Sequence, residues 1–340
     1  MALSRFDHHA QKTLPNASTA LGPMSSILLR TESASSSQIE NLTAGARQLA
    51  LAELEQSSSQ NARIVMGNVH AMEAALQLAD RLDEDAVLAM QRILVQEQPG
   101  SESYAGQYRD SLVWVGTSAV SPIGASHIAP QAERVAPAMQ DLIEFMRRTD
   151  LPVLLQAALA HAQFETIHPF EDGNGRTGRA LVHTLLKGKG LITTTTAPLS
   201  AGLLKRTSAY FDALTSFREG EAAPLVSCFV EAALFAASSG INLVDDLHAE
   251  LAASADALAG LRPQASGWKV LPHLVAHPVI NATYLRKQLK LNEVTAQRAL
   301  RQLTEHGVLK ERSGLKRNRV YQHPGILGVL DAYAQQLRRG

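Results

Sequence analysis

Apolar residues recur at three- and four-residue spacing along most of this chain, a pattern that predicts a mainly α-helical protein. Ile64, Val65, Val69, Met72, Leu76 and Leu78 mark one such face. A second helix is expected over 83–96, stopped by Pro99-Gly100. Others are expected over 137–148 and 152–167, the latter with Leu155, Leu159, Ala162 and Phe164 near one face. The helical spacing returns at 174–187, 203–219 and 224–238. One interruption is β-prone. Leu112-Val113-Trp114-Val115-Gly116 is followed by the turn residues Ser121-Pro122-Ile123-Gly124 and a return segment Ser126-His127-Ile128. This predicts a single hairpin in a helical protein. Strands and helices do not alternate, so no parallel sheet is expected, and no internal repeat is found.

The two ends differ from the middle. Residues 1–30 are polar, with Pro15, Gly22 and Pro23, and read as a flexible tail. Ser33-Ala34-Ser35-Ser36-Ser37 opens a helical segment reaching about residue 55. After an Ala-rich stretch, 263–267 reads as a linker. A short helix (285–289), the turn Lys290-Leu291-Asn292, a longer helix (294–306) and two strand-like runs then follow, Gly307-Val308-Leu309-Lys310 and Arg319-Val320-Tyr321-Gln322. That is the order of a winged helix-turn-helix. Leu300, Leu303 and Val308 would fill its core, with Arg298 and Arg301 outward and a basic tip at 312–319. The expected division is a tail (1–30), N-terminal helices (31–110), a core with the hairpin (111–245), a helix and linker (246–267), the winged helix (268–325) and a last helix (326–340).

Charge adds little: 32 basic residues face 32 acidic ones, so net charge names no partner. Only the basic tip argues for nucleic acid, with protein docking as the alternative. Cys228 is the sole cysteine, which fits a reducing compartment without disulfides. The first twenty residues lack the apolar run of a signal peptide. The apolar stretches near 151–164 and 229–243 fall short of the roughly 18–20 residues that span a bilayer. A cytoplasmic protein without a membrane partner is expected.

The chemistry concentrates in His168-Pro169-Phe170-Glu171-Asp172-Gly173-Asn174-Gly175-Arg176-Thr177-Gly178-Arg179. A residue before proline avoids the α region, so His168 should end the preceding helix and face a loop. Its imidazole can take a proton from a hydroxyl. Gly173 and Gly175 allow a tight turn and close approach to a ligand. The helix starting there points free N–H groups at that ligand, which suits phosphate. Asn174 can add an amide donor. Arg176 and Arg179 share a helical face and can fork onto phosphate oxygens. Asp172 is a hard ligand suited to Mg²⁺. Phe170 is the expected apolar anchor. Residues 173–178 also read as G-x-G-x-x-G, but that fingerprint needs a preceding strand and an acid about 20 positions on, and both are missing. No Gly-Lys-Ser/Thr follows, so a Walker A loop is excluded. His161, Glu165 and His168 share a helical face, which leaves a metal site conceivable beside a structural role.

At every fixed position these twelve residues resemble the Fic signature, His-Pro-Phe-x-Asp/Glu-Gly-Asn-Gly-Arg-x-x-Arg. The resemblance extends over about 42–235. It implies a helical fold with a β-hairpin flap, and transfer of AMP from ATP to a Ser, Thr or Tyr hydroxyl of a target protein. On this resemblance His168 is the general base and Asp172 the Mg²⁺ ligand. Gly173, Asn174, Gly175 and Arg176 cradle the anion, with Thr177 and Gly178 in the same nucleotide-binding turn, and Arg179 meets the γ-phosphate. The hairpin at 113–128 would register the target by strand addition. Tyr210-Phe211 stands where relatives often carry two tyrosines beside the adenine. The same site could also remove AMP, and a nucleotide-sensing regulator acting through the winged helix is a reading from another class. A homodimer is left open.

Ser36-Ser37-Gln38-Ile39-Glu40-Asn41 resembles the Ser/Thr-x-x-x-Glu-Gly/Asn motif of the family's inhibitory helix. The resemblance implies that Ser36 marks that helix and that Glu40 pairs with Arg179, turning it from the γ-phosphate. A competing reading is a capping box, with Ser37 as N-cap and Glu40 three residues on.

Overall fold

The computed structural model describes residues 1–13, 21–116, 120–312 and 319–337. Helices α1 (Ala2–Lys12), α2 (Leu21–Ile39), α3 (Ala46–Glu53), α4 (Gln60–Gln77) and α5 (Glu84–Val95) lead to a hairpin of β1 (Trp114–Val115) and β2 (His127–Ile128). The central helices follow: α6 (Val135–Arg147), α7 (Val153–Ile167), α8 (Asn174–Gly188), α9 (Leu199–Lys205), α10 (Thr207–Arg218) and α11 (Ala223–Ala257). The C-terminal part holds α12 (Ser266–Val270), β3 (Val279–Ile280), α13 (Ala282–Gln288), α14 (Glu293–Glu305), β4 (Lys310–Glu311), β5 (Tyr321–Gln322) and α15 (Pro324–Leu337). Short polar side chains begin several helices as expected of N-caps. Ser59, Asp83, Asn281 and Asn292 each accept a hydrogen bond from a backbone N–H three residues on.

The core forms where α7 and α8 pack against each other, with α4 and α5 on one side and α9 and α11 on the other. Phe164, Phe170, Phe229 and Tyr210 are wholly buried in it. The hairpin pairs antiparallel, Trp114 opposite Ile128 and Val115 opposite His127. The mainly helical class and the hairpin agree with the periodicity.

The amino terminus does not. The described residues of 1–30 are helical rather than a tail. Leu3, Phe6 and Ala10 of α1 are buried against α11. A side chain at Gly240 would bring its Cβ to 2.6 Å from the Phe6 ring. Asp7 accepts hydrogen bonds from the backbone N–H and hydroxyl of Thr193 and of Thr195. Burial opposes its charge, yet these donors hold its carboxyl below the usual range. Pro23 sits in the first turn of α2, where a missing N–H is tolerated, so it does not break that helix.

Helix α2 is tied to its surroundings by buried polar groups. Glu32, fully buried, contacts His183 of α8 at 2.7 Å and accepts from the Ser200 N–H of α9 at 2.9 Å. Asn68 of α4 donates to the Ser33 carbonyl and the Ser37 hydroxyl. Arg30 donates to the Ala276 carbonyl and to Glu53 of α3. The helix then stops at Ser37–Asn41. Asn41 is left-handed (φ 60°), the Leu42 N–H returns to the Ser37 carbonyl and the Asn41 N–H to that of Gln38. That is a Schellman C-terminus, so the capping-box reading is wrong: this segment ends a helix instead of starting one.

The expected boundary at 245/246 falls inside α11, which continues to Ala257. This helix is long and apolar enough, by length and composition, to cross a membrane, although its uninterrupted apolar run reads as too short. Leu225, Phe229, Ala232, Ala236, Leu243 and Leu247 are buried inside the protein. In the C-terminal part, α13, α14, β4 and β5 follow the expected helix–turn–helix–strand order. A third strand, β3, not expected from the sequence, pairs with β5 to give the order β3-β5-β4. Residues 313–318 of the basic tip lie outside the described residues.

Candidate active site

The twelve-residue motif occupies the turn from α7 into α8. His168 closes α7 in a left-handed conformation (φ 49°), with its N–H on the Phe164 carbonyl. Such a backbone is uncommon for a non-glycine residue, and Pro169 forbids continuing the helix. The loop then folds on itself. Asn174 Oδ1 accepts from the Phe170 N–H at 2.9 Å and its Nδ2 donates to the Phe170 carbonyl at 2.8 Å. The Asn174 side chain is therefore a buried brace for the loop and not a free donor for an anion, a correction to the expected cradle. Gly173 is left-handed (φ 85°), and a Cβ on it would meet Leu94 at 2.8 Å.

Arg109 holds this turn from outside. Buried itself, it donates from Nε to the His168 carbonyl (2.8 Å) and from its Nη atoms to the carbonyls of Ser111 (2.8 Å) and Pro130 (2.6 Å). It thus joins the α7–α8 turn to both ends of the hairpin. Gln91 of α5 acts likewise, donating to the Asp172 carbonyl and accepting from the Gly106 N–H. Neither residue stands out in the sequence, because each works across a separation no local pattern reports. Arg109→Ala should destabilise the protein by about 2–4 kcal/mol, since it strands several buried carbonyls. Urea unfolding measures this, and a change below 1 kcal/mol would contradict the clamp.

An open cavity of about 590 Å³ is lined by Glu40, Glu165, His168, Asp172, Gly173, Asn174, Gly175, Arg176, Arg179, Tyr210, Phe211, Trp114 and Val115, among others. The motif, the hairpin, the α2 terminus and the Tyr210-Phe211 pair thus meet at one place. Thr177 and Gly178 are buried behind it; a Cβ on Gly178 would crowd Glu165 and Phe164 at 3.0 Å. Burial pulls the His168 pKa down to about 4, so its imidazole is neutral at pH 7 and can accept a proton. Arg176 donates to Asp172 at 3.2 Å. Its Nε and Nη1 are buried without a partner among the described residues. Unpaired guanidinium donors at a helix N-terminus suit an anion. The Asp172 side chain is 47% exposed at the mouth. An exposed carboxylate matches the way Mg²⁺ is held, with phosphates and water completing its shell.

Glu40 lies at the start of α8. Its Oε1 accepts from Arg179 Nη2 at 2.8 Å, while the same guanidinium donates to the Ser36 hydroxyl and carbonyl at 2.9 Å each. Burial would lower the Arg179 pKa, but Glu40, Tyr210 and Glu165 together carry it above its ordinary value. A Cβ at Gly175 would lie 2.1 Å from that Oε1. Only glycine admits a carboxylate so close to the start of α8. The His161–Glu165–His168 metal reading fails: His161 meets the Tyr210 hydroxyl at 2.7 Å, and among the described residues no group of three acidic, His or Cys side chains is placed to hold a metal. Tyr210 is thereby buried and engaged, while Phe211 is exposed.

Residues 81–186 match the model of the Fic/DOC family, and residues 1–77 match that of the Fic/DOC family N-terminal region. The chain belongs to the Fic/DOC family. The Fic domain proper thus runs from α5 through α8, and the preceding match takes in α1 to α4 with Glu40. Among curated relatives, the Protein adenylyltransferase Fic of Drosophila willistoni is 33% identical over 124 residues, and that of Drosophila erecta 34%. Each match covers 36% of this chain and spans 22% of the relative's length. The fold is similar to that of a Fic family protein from Desulfovibrio desulfuricans G20 (TM-score 0.56, 21% identity, 95% of this chain and 96% of that one). It is also similar to Fic-1 from C. elegans (TM-score 0.54, 21% identity, 72% of each chain).

Proposed function

We propose that this protein transfers AMP from ATP to a Ser, Thr or Tyr hydroxyl of a target protein, and that Glu40 restrains it. One observation carries the reading: a neutral imidazole stands beside a helix N-terminus whose anion position is already held by a carboxylate. His168 takes the proton of the target hydroxyl. The freed oxygen bonds to the α-phosphorus, the bond to the β-phosphate bridge breaks, and pyrophosphate leaves. Arg176 and the N–H groups at the start of α8 bind phosphate oxygens, and Arg179 would reach the γ-phosphate once Glu40 withdraws. Asp172 would hold Mg²⁺, which neutralises phosphate charge when bound.

The hairpin supports docking of the target. Val115 and Ile128 are exposed, and β1 and β2 offer an edge to an added strand. We place the C-terminal helices and strands in the role of a locator, through DNA or protein, and a gel shift with duplex DNA at low and high salt separates the two.

The test of the activity uses ATP labelled at the α-phosphate, Mg²⁺ and cell lysate, with wild type, Glu40→Gly and His168→Ala. Label on a protein with Glu40→Gly and none with His168→Ala is expected. Label absent from every lane would leave nucleotide sensing as the better reading. Label from γ-phosphate ATP would indicate phosphorylation instead.

A further inference from the structure

Glu165 and His168 face each other across the end of α7 with unmet hydrogen-bonding capacity. Glu165 Oε2 lies 3.9 Å from His168 Nδ1. Both side chains are largely buried, and among the described residues neither Glu165 Oε1 nor His168 Nδ1 has a hydrogen-bond partner. A buried carboxylate costs several kcal/mol to keep unless something needs it. Packing alone is a poor reason, since an apolar residue would fill this space without that cost.

We infer that Glu165 is a positioning residue for His168: its carboxylate receives the Nδ1–H, selects that tautomer, and leaves Nε2 to take the proton of the target hydroxyl. This rests on the adenylyl-transfer reading above. As the proton moves to Nε2 the imidazole becomes a cation, and the carboxylate behind it stabilises that charge. A shift of under 1 Å brings the pair into hydrogen-bond range, and such bonds are often long before substrate arrives.

The surroundings fit. The Glu165 carboxyl is pushed up to about 7, by burial first, with Arg179 opposing and Glu40 adding to the rise. The charged and titratable groups facing the pair are Arg179 from α8, Glu40 beyond α2, Arg218 and Tyr210 from α10, His161 from α7 and His127 from β2. Arg218 also donates to the Glu165 carbonyl at 3.4 Å. That carbonyl is the competing candidate for the Nδ1 proton, and the test separates the two.

The experiment compares Glu165→Gln with the wild-type residue, both in the Glu40→Gly background. The expected result is a fall in kcat of roughly ten- to hundredfold, as when a carboxylate orienting a working histidine is lost, with KM for ATP unchanged. The acid limb of the rate profile should carry a step near pH 7, where the Glu165 carboxyl takes up a proton, and Glu165→Gln should remove that step from the limb. A merely structural Glu165 would move the melting temperature and leave that limb in place, and an unchanged limb with unchanged kcat would overturn the proposal in favour of the backbone carbonyl. If Glu165→Gln does not fold, nitrogen-15 NMR of the wild-type imidazole decides: Nδ1–H with Nε2 bare, sensitive to a second titration at Glu165, is expected, and the opposite tautomer overturns it. His168→Ala in the same background is the separate control. Residual activity there would sink the base reading itself, whereas an inactive His168→Ala beside an unaffected Glu165→Gln sinks this inference alone.

Discussion

Glu40→Gly should raise AMP transfer roughly ten- to hundredfold, the range of a coupling free energy of about 1–3 kcal/mol. The reason is competition for one guanidinium. Arg179 is buried and already has Ser36 on one edge, so it can serve Glu40 or a γ-phosphate, not both. The carboxylate also lies against Gly175, where the first free N–H groups of α8 would meet phosphate. Removing it opens both contacts at once. The Glu40 side chain is 38% exposed, so solvent screens the pair, and stability should change by no more than about 1 kcal/mol. The rate of label transfer from α-phosphate ATP measures the gain. Affinities give an independent check: ATP should bind more tightly to Glu40→Gly, while ADP, without a γ-phosphate, should gain less. Equal rates in a folded variant would remove the inhibitory role.

His168→Ala should lower transfer by about 10²–10⁴-fold, the usual worth of a positioned general base. ATP binding should persist, because the phosphate donors belong to α8. The backbone at 168 is left-handed, and alanine there adds strain on the order of 1 kcal/mol, whereas asparagine visits that region readily. His168→Asn therefore separates lost chemistry from a disturbed turn, and both variants should be inactive. The pH profile gives a further mark. The base works unprotonated, so the rate falls as pH drops through its pKa. Burial holds that value near 4, well below an ordinary histidine, so in Glu165→Gln, where the base alone titrates, the remaining activity should persist at pH 5.5 in a protein that stays folded. An acid limb centred at 6.5 would show that the imidazole is solvated at work.

The site was legible in the sequence to the extent that its determinants are local. Histidine before proline, paired glycines and arginines three apart fix backbone and direction within one turn, and the structure places them together. Glu40 was legible only through its resemblance to a family motif, since nothing local says that a helix end will reach a side chain 139 positions away. The same local logic misread Ser37, because Ser-x-x-Glu looks alike at either end of a helix until Asn41 turns left-handed. Asn174 reads as a donor to ligand because its own loop, which uses both ends of the amide, is invisible in one dimension. Helix α1 is not marked by the periodicity because it has few apolar positions, and its partners lie near residues 193 and 240. Arg109, Gln91 and Glu32 share one property: each has polar partners on other elements far along the chain, and periodicity does not report these.

Glu32 and Glu40 stand on one stretch of chain with opposite consequences for mutation. Glu40 touches only the ligand site, while Glu32 is sealed between His183 and Ser200 in the interior. A nonsense-free route to a permanently active protein therefore runs through single-residue exchanges at position 40. Deleting the preceding helix would uncover the core and orphan His183. Gain of activity and truncation should accordingly be mutually exclusive in any random library of this gene: activating lesions would cluster at one codon, and shortened forms would be recovered as aggregates.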